Sequence, residues 1–315
     1  MVKIYNTDKE TNEFKQIKEF TRGSWINLVA PTEKEIKTVC DNLKIPEEFI
    51  RYSLDNEERA RIDMDEEDDL ILFIIDVPIT ERDGNATVYT TMPIGLITVR
   101  DDFFLTVSLK EVALITTFEQ NKIKNFATYK KSRFILQMMY QNASDYLTYL
   151  KKINRATEKT EKVLGKTMKN KELLTLLNLE KSLVYITTSL RSNEAVMEKT
   201  LKVSNIKLYD EDEDILEDAI IENKQAIEMS RIYSDILNST MDAYSSIISN
   251  NVNSVMKFLT AITIVIAIPT MISSFWGMNV VLPFQNSIYG FVIMIALATI
   301  LTLLVTWLLK KKDMF

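Results

Sequence analysis

The sequence predicts an α+β multi-domain membrane protein, and three observations carry that prediction. From Met1 to about Gln120, short apolar runs alternate with a helix-like pattern, as in a mixed α and β domain. From about Tyr129 the chain turns to long helices with almost no breakers. Two uncharged apolar runs follow, Phe258 to Phe275 and Ile288 to Leu309, each about long enough to cross ~30 Å of hydrocarbon as a helix.

In the first part, Trp25-Ile26-Asn27-Leu28-Val29 reads as a short strand. Pro31-Thr32-Glu33 then opens a helix in which Ile36, Val39, Cys40 and Leu43 recur at helical spacing. Leu70 to Val77 is a continuous apolar run ending at Pro78, as in a buried strand. Ile94 to Val99 and Phe103 to Val107 flank Arg100-Asp101-Asp102 and read as a hairpin. In the helical part, Phe134, Met138, Met139, Tyr146 and Leu150 fall on one face of a first helix. Leu173, Leu176, Leu177, Leu183, Val184 and Ile186 mark a second. The acidic run Asp210 to Asp214 suits the N-terminus of a third, because acids there complement the helix dipole. No Gly or Pro occurs from Ile215 until Pro269, so one stalk helix of roughly 80 Å is expected. Its apolar positions Leu216, Ile220, Ile227, Leu237, Tyr244 and Ile248 need partners, and neighbouring copies of the same helix would supply them.

Composition excludes several function classes. A net charge of -6 disfavours nucleic acid as a partner, since phosphate binding needs a basic surface. The chain has no histidine, which removes the commonest ligand for zinc, nickel or cobalt and the usual proton shuttle at neutral pH. The single cysteine, Cys40, cannot form an intrachain disulfide, which fits a reducing compartment. Residues 1–20 are polar and charged, so no secretory signal is expected there. No nucleophile–base pair and no phosphate loop stands out, so the chain is not expected to be an enzyme.

The first span carries Asn253, Thr260, Thr263, Thr270 and Ser274, with Met256 and Ala267 in the intervals, all stepping by three or four along one helical face. On periodicity alone two readings stand. The hydroxyls bond back to their own helix, or they line a pathway. Lys257 and Lys310 to Lys312 fall at the same membrane face, and positive residues mark the cytoplasmic side, so both termini and the large domain are expected inside. No carboxylate interrupts either span, so no proton or sodium relay is expected.

The first span runs into Phe275-Trp276-Gly277-Met278-Asn279. An aromatic residue followed by Gly-Met-Asn at the end of the first of two C-terminal spans resembles the signature of the CorA family of magnesium and divalent-cation transporters. Asn253-Ser254-Val255-Met256-Lys257 with Leu259-Thr260 is similar to the family's entry to that span, and Pro269-Thr270 to a Pro and Thr inside it. The order of elements in the first part is similar to the family's α/β/α cytoplasmic domain, and Leu54-Asp55 through Arg61-Ile62-Asp63 resembles a stretch before its long strand.

The resemblance implies a plasma-membrane homopentamer that takes up hydrated Mg2+ passively, driven by the membrane potential. Gly277, Met278 and Asn279 would form the selectivity ring. Asn253, Met256, Thr260, Thr263, Ala267 and Thr270 would line the pore. Gly277 would let the backbone turn sharply and bring the Asn279 amides together. Intracellular Mg2+ would also regulate, held between subunits by Asp218, which matches the family's stalk acid by spacing to Asn279. The partner acid's place falls near Tyr52, with Asp55 close by and Asp63 in the acidic run Asp63 to Asp69. After Gly-Met-Asn the family often has an acid, whereas this chain reads Val280-Val281-Leu282-Pro283-Phe284-Gln285.

The expected organisation is a cytoplasmic α/β domain (1–125), long antiparallel helices (126–209), a stalk (210–255), a pore-lining transmembrane helix (256–276), an extracytoplasmic loop (277–287), a second transmembrane helix (288–309) and a basic tail (310–315). A transporter of cobalt, nickel, manganese or zinc is the alternative within the class. A membrane-anchored coiled-coil sensor or scaffold is the alternative outside it, although a scaffold has no need of polar groups along one face of its first span.

Overall fold

A computed structural model describes residues 1–315 except 66, 68, 84–85, 101, 168–169, 202–209, 281–282, 284–286 and 315. The described chain divides into two units, Met1–Ser239 and Thr240–Phe315.

The first unit is built on a seven-stranded sheet. Its strands are β1 (Val2–Thr7), β2 (Phe14–Ile17), β3 (Trp25–Val29), β4 (Arg61–Asp65), β5 (Leu70–Asp83), β6 (Ala86–Val99) and β7 (Phe103–Ser108), in the order β2-β1-β3-β7-β6-β5-β4. All pairings are antiparallel except β3 with β7. One face is covered by α1 (Glu33–Leu43) and α2 (Glu47–Tyr52), whose Ile36, Val39, Leu43 and Ile50 meet Ile26, Leu28, Leu72 and Leu105. The other face is covered by α3 (Ala113–Glu119), α4 (Lys131–Thr167), α5 (Asn170–Thr200) and the start of α6 (Asp210–Trp276). There Phe118, Phe134, Met138 and Met197 close over Trp25, Phe73, Phe104 and Leu96. The β5 run is apolar without alternation because it is covered on both sides: Leu70, Leu72 and Ile74 face one layer, and Ile71, Phe73, Ile75 and Val77 the other. This is the expected α/β/α arrangement.

Several local readings hold to the residue. Thr32 caps α1 in a reciprocal box with Glu35, and the four apolar residues of its expected face are all buried. The β6–β7 hairpin turns at 100–102, of which residue 101 is outside the described residues. On α5, Leu176, Leu183 and Ile186 are buried, but Leu177 and Val184 are exposed. Burial pushes the Cys40 thiol up to about 11, helped by Glu47 and Asp41, so it is a packed neutral side chain.

Other readings need correction. The strand expected to end at Pro78 continues to Asp83. Pro78 and Pro93 fall where the third strand has already stopped, β4 at Arg61 opposite Ile74 and β7 at Ser108 opposite Ile94. A proline lacks the ladder N–H, and in a two-stranded extension the open edge asks for none. Helix α6, by contrast, runs through Pro269 to Trp276, and Pro269 lies inside the span where the sequence puts it. Leu216 and Leu237, expected to wait for neighbouring copies, are fully buried within this chain, and Ile220, Ile227, Tyr244 and Ile248 are half-buried. The exposed apolar residues of α6 before the span are instead Ile221, Ile232, Ile236 and Ile247. The physical reason is that α5 takes up one side of α6: Asn223 Nδ2 donates to Leu190 O at 3.0 Å, and the Thr187 and Ser230 hydroxyls pair at 2.7 Å.

The second unit comprises the C-terminal part of α6 and α7 (Gly290–Lys311). Both helices are long and apolar enough to cross a membrane. Most of their apolar side chains are exposed, among them Ile266 and Phe275 on α6 and Phe291, Ile300 and Leu303 on α7. In water such a surface would be strongly unfavourable, and hydrocarbon removes that cost.

Candidate ion pathway

The backbone of the candidate site is α6 itself. Its run of Ala, Ile, Val and Leu holds helical geometry in an apolar medium, because every backbone group is satisfied within the helix. Two shallow grooves lie along one side of it. The first, about 450 Å³, is lined by Asn250, Asn253, Ser254, Met256, Lys257, Thr260 and Met314. The second, about 530 Å³, is lined by Ile262, Thr263, Ile266, Ala267, Thr270, Met271 and Ser274. All six expected pore positions, Asn253, Met256, Thr260, Thr263, Ala267 and Thr270, thus fall in these two grooves. Sequence spacing missed the other lining residues, among them Ser254, Lys257 and Ile266, which stand beside the three-and-four ladder. The available signal was their adjacency, since a groove is wider than one line of residues.

Two hydroxyls of the line are engaged with their own helix. Thr263 Oγ1 donates to Leu259 O at 2.8 Å, and Thr270 Oγ1 to Ile266 O at 2.9 Å. Ser273 Oγ, next to them, donates to Pro269 O at 2.9 Å. Back-bonding and an ion path, posed as alternatives above, are compatible. A hydroxyl whose proton is used inward keeps two oxygen lone pairs, and these accept hydrogen bonds from water.

At the end of α6 the chain leaves the helix at Gly277-Met278-Asn279. Gly277 N–H donates to Ser273 O at 3.0 Å and Met278 N–H to Phe275 O at 3.3 Å, so the last turn closes normally. Met278 and Asn279 are exposed. The chain turns at Gly277 and bends through Met278 and Asn279 without a positive φ at the glycine. Gly23 is the only described glycine with positive φ, and a Cβ on Gly277 would meet only Ser273 O at 3.4 Å and Ser274 O at 3.6 Å. Of the loop that follows, Val281, Leu282, Phe284 and Gln285 lie outside the described residues.

At the other end Lys257 is exposed on α6, as are Lys310, Lys311 and Lys312 at the end of α7, with Lys311 Nζ 5.6 Å from the Trp307 ring centre.

The three acids expected to regulate are not brought together by one chain. Asp218 is exposed on α6. Asp55 lies in a turn, where its carboxylate accepts from Glu57 N–H at 2.9 Å, and Asp63 on β4 pairs with Arg61 at 2.7 Å. Among the described residues no three His, Cys, Asp or Glu side chains converge as a metal site. Glu66 and Asp68 of the acidic run lie outside the described residues. The second acidic run is not merely a solvated helix start. Asp212 is buried and ion-paired with Arg133 of α4 at 2.7 Å, a contact that periodicity could not flag.

Comparison with known proteins gives a consistent answer. Residues 21–311 match the sequence family described as CorA-like Mg2+ transporter protein. The chain is 26% identical over 298 residues to the cobalt/magnesium transport protein CorA of Methanocaldococcus jannaschii, covering 91% of this chain and 90% of that protein. The complete structure of the CorA magnesium transporter from that organism superposes with a TM-score of 0.85 at 23% identity, covering 98% of this chain and 96% of the other. The full-length CmaX protein shares the fold at a TM-score of 0.70 and 13% identity, over 98% and 97% of the two chains.

Proposed function

This chain belongs to the family of CorA-like Mg2+ transporter proteins, and from that premise we propose that it is the subunit of a homopentameric channel for passive uptake of hydrated magnesium. The observation that carries the proposal is the line of amide and hydroxyl oxygens from Asn253 to Thr270, on one face of an otherwise apolar helix that ends in Gly277-Met278-Asn279.

The chemistry follows from magnesium's reluctance to lose water. Neutral amide and hydroxyl oxygens accept hydrogen bonds from the polarised waters of the intact hydrated ion. They do not hold it as a carboxylate ring would, so the ion can leave. Asn279 amides from several copies form the outer ring, and Asn253 with Met256 marks the inner end. Two charges crossing ~100 mV, inside negative, gain about 4.6 kcal/mol, which drives uptake without ATP. Lys257 and Lys310 to Lys312 support a plasma-membrane orientation with both termini in the cytoplasm. The exposed Ile221, Ile232, Ile236 and Ile247 on α6 favour assembly of copies around the stalk. Asp218, with Asp55 or Asp63 of a neighbouring copy, is the proposed regulatory Mg2+ site. Cobalt is the second cargo, because the Methanocaldococcus relative is named for both metals and contacts through water discriminate poorly between hydrated ions of similar size.

Uptake into sealed liposomes, with magnesium and cobalt compared, tests the reading. Asn279→Ala should abolish saturable uptake while the protein still assembles. Normal uptake by that variant would remove Asn279 from the selectivity ring.

A further inference from the structure

A polar cluster at the β5–β6 hairpin lies outside the ion path. Asp76 on β5 is only 9% exposed. Because β4 has stopped at Ile74, the Asp76 peptide has no strand on that side, and two helix amides replace it. Asn193 Oδ1 accepts from Asp76 N–H at 2.9 Å, and the Nδ2 groups of Asn193 and Asn142 each donate to Asp76 O at 2.8 Å. The peptide is therefore saturated.

The Asp76 carboxyl group is served less well, with the Ser189 hydroxyl beside it. It makes no ion pair among the described residues. The groups around it are Thr91 and Pro93 from β6, Ser189 and Asn193 from α5, and Asn142 and Tyr146 from α4, of which only Tyr146 titrates. The neighbouring Asp145 turns to Gln141 and Lys152 instead. Ser189 Oγ lies 2.8 Å from Thr91 Oγ1 and also faces the Asp76 carboxyl and the Tyr146 hydroxyl, while Asn142 Oδ1 has no hydrogen-bond partner. An ionised carboxylate here has little solvent and no countercharge among the described residues, whereas a neutral carboxyl removes the buried charge and adds a donor to a cluster that holds the unfilled Asn142 Oδ1. The opposite side of α5 holds α6 through Leu190 O and Thr187.

We propose that Asp76 is a proton-binding site of the cytoplasmic unit: in mildly acidic solution its neutral carboxyl seats α4 and α5 on the hairpin, and ionisation loosens that joint. Burial pushes the carboxyl up to about 6, against a weaker pull from Ser189. The sign is opposite to that of a salt-bridged acid. The folded chain holds this proton where the unfolded chain, ionising near 3.8, does not, so stability falls as pH rises through that interval. Two units of difference change the folded-to-unfolded ratio about hundredfold between ~pH 4 and neutrality.

The test uses the full chain in detergent. Infrared spectra of the wild type should show a protonated-carboxyl C=O band that disappears near pH ~6 and is absent in Asp76→Asn. Asp145→Asn, which removes the half-buried carboxyl that α4 carries next to Tyr146, should keep it. Asp76→Asn should melt above wild type at pH ~7.5, with the gap closing by pH ~5. A wild-type band unchanged by Asp76→Asn, or a melting gap independent of pH, overturns the proposal. If Asp76→Asn does not fold, the band in Asp145→Asn decides alone: present near pH ~6, it supports the site, and absent, it refutes it. None of these readouts depends on transport, so they stand or fall separately from the channel reading.

Discussion

Removing one member of the Arg133–Asp212 pair should loosen the head of α6 from α4. The two side chains are 13% and 3% exposed, and Nε lies 2.7 Å from Oδ1. Asp212→Asn keeps the shape but removes a buried carboxylate from beside the largely buried guanidinium, the kind of change that costs about 3–5 kcal/mol in typical interiors. Both residues make further interactions, which places the expected loss at the lower end, about 3 kcal/mol. For a unit the size of Met1–Ser239, that corresponds to a fall in Tm of about 6–12 °C. The assay is thermal unfolding of the full chain, completed as a double-mutant cycle. Arg133→Met with Asp212→Leu together should lose less than the sum of the single changes, since no buried charge is left alone. Raising the salt concentration should change the result little, because a buried pair is poorly screened. An Asp212→Asn protein that melts within ~1 °C of wild type, or a strictly additive cycle, would refute the idea that this pair anchors the stalk.

Other outcomes follow from particular contacts. A Cβ on Gly95 would lie 1.8 Å from Ser53 Oγ and 2.6 Å from Ser53 Cβ, so Gly95→Ala should destabilise by more than ~2 kcal/mol in denaturant unfolding. Ser53→Gly should restore most of that loss, and failure to restore it would mean the clash is not the cause. Asp218→Lys should mimic a bound cation, making the cytoplasmic part resist protease without magnesium; the same magnesium-dependent protection in wild type and variant would exclude Asp218 as the sensor. A tag after Phe315 should be labelled only in permeabilised cells, and labelling of intact cells would reverse the proposed orientation.

The local elements were readable wherever a short pattern is enough to set the backbone. Thr32 and Glu35 name the start of α1, the apolar run of β5 names a doubly covered strand, and the uncharged lengths of α6 and α7 name two spans. The line Asn253 to Thr270 and the Gly-Met-Asn end were equally legible, because periodicity alone puts residues on one face of a helix. The edge strand β2 and the extensions of β5 and β6 beyond Pro78 and Pro93 were not, since their signal depends on which neighbour has already ended.

Partner choice belongs to the tertiary structure. The sequence shows that Leu216 and Leu237 are apolar, and only the fold decides that they meet this chain's own helices and leave Ile221, Ile232 and Ile236 outward. It shows an acidic run at 210–214, and only the fold buries Asp212 against Arg133, 79 positions away. It shows a lone aspartate in a strand, and only the packing of α4 and α5 removes most of the water from Asp76 without supplying a countercharge among the described residues. Backbone pattern is a short-range property, set by sterics and hydrogen bonds within a few residues. Burial, pairing and proton affinity are set by contacts between segments far apart in the chain, and only the folded arrangement brings those together.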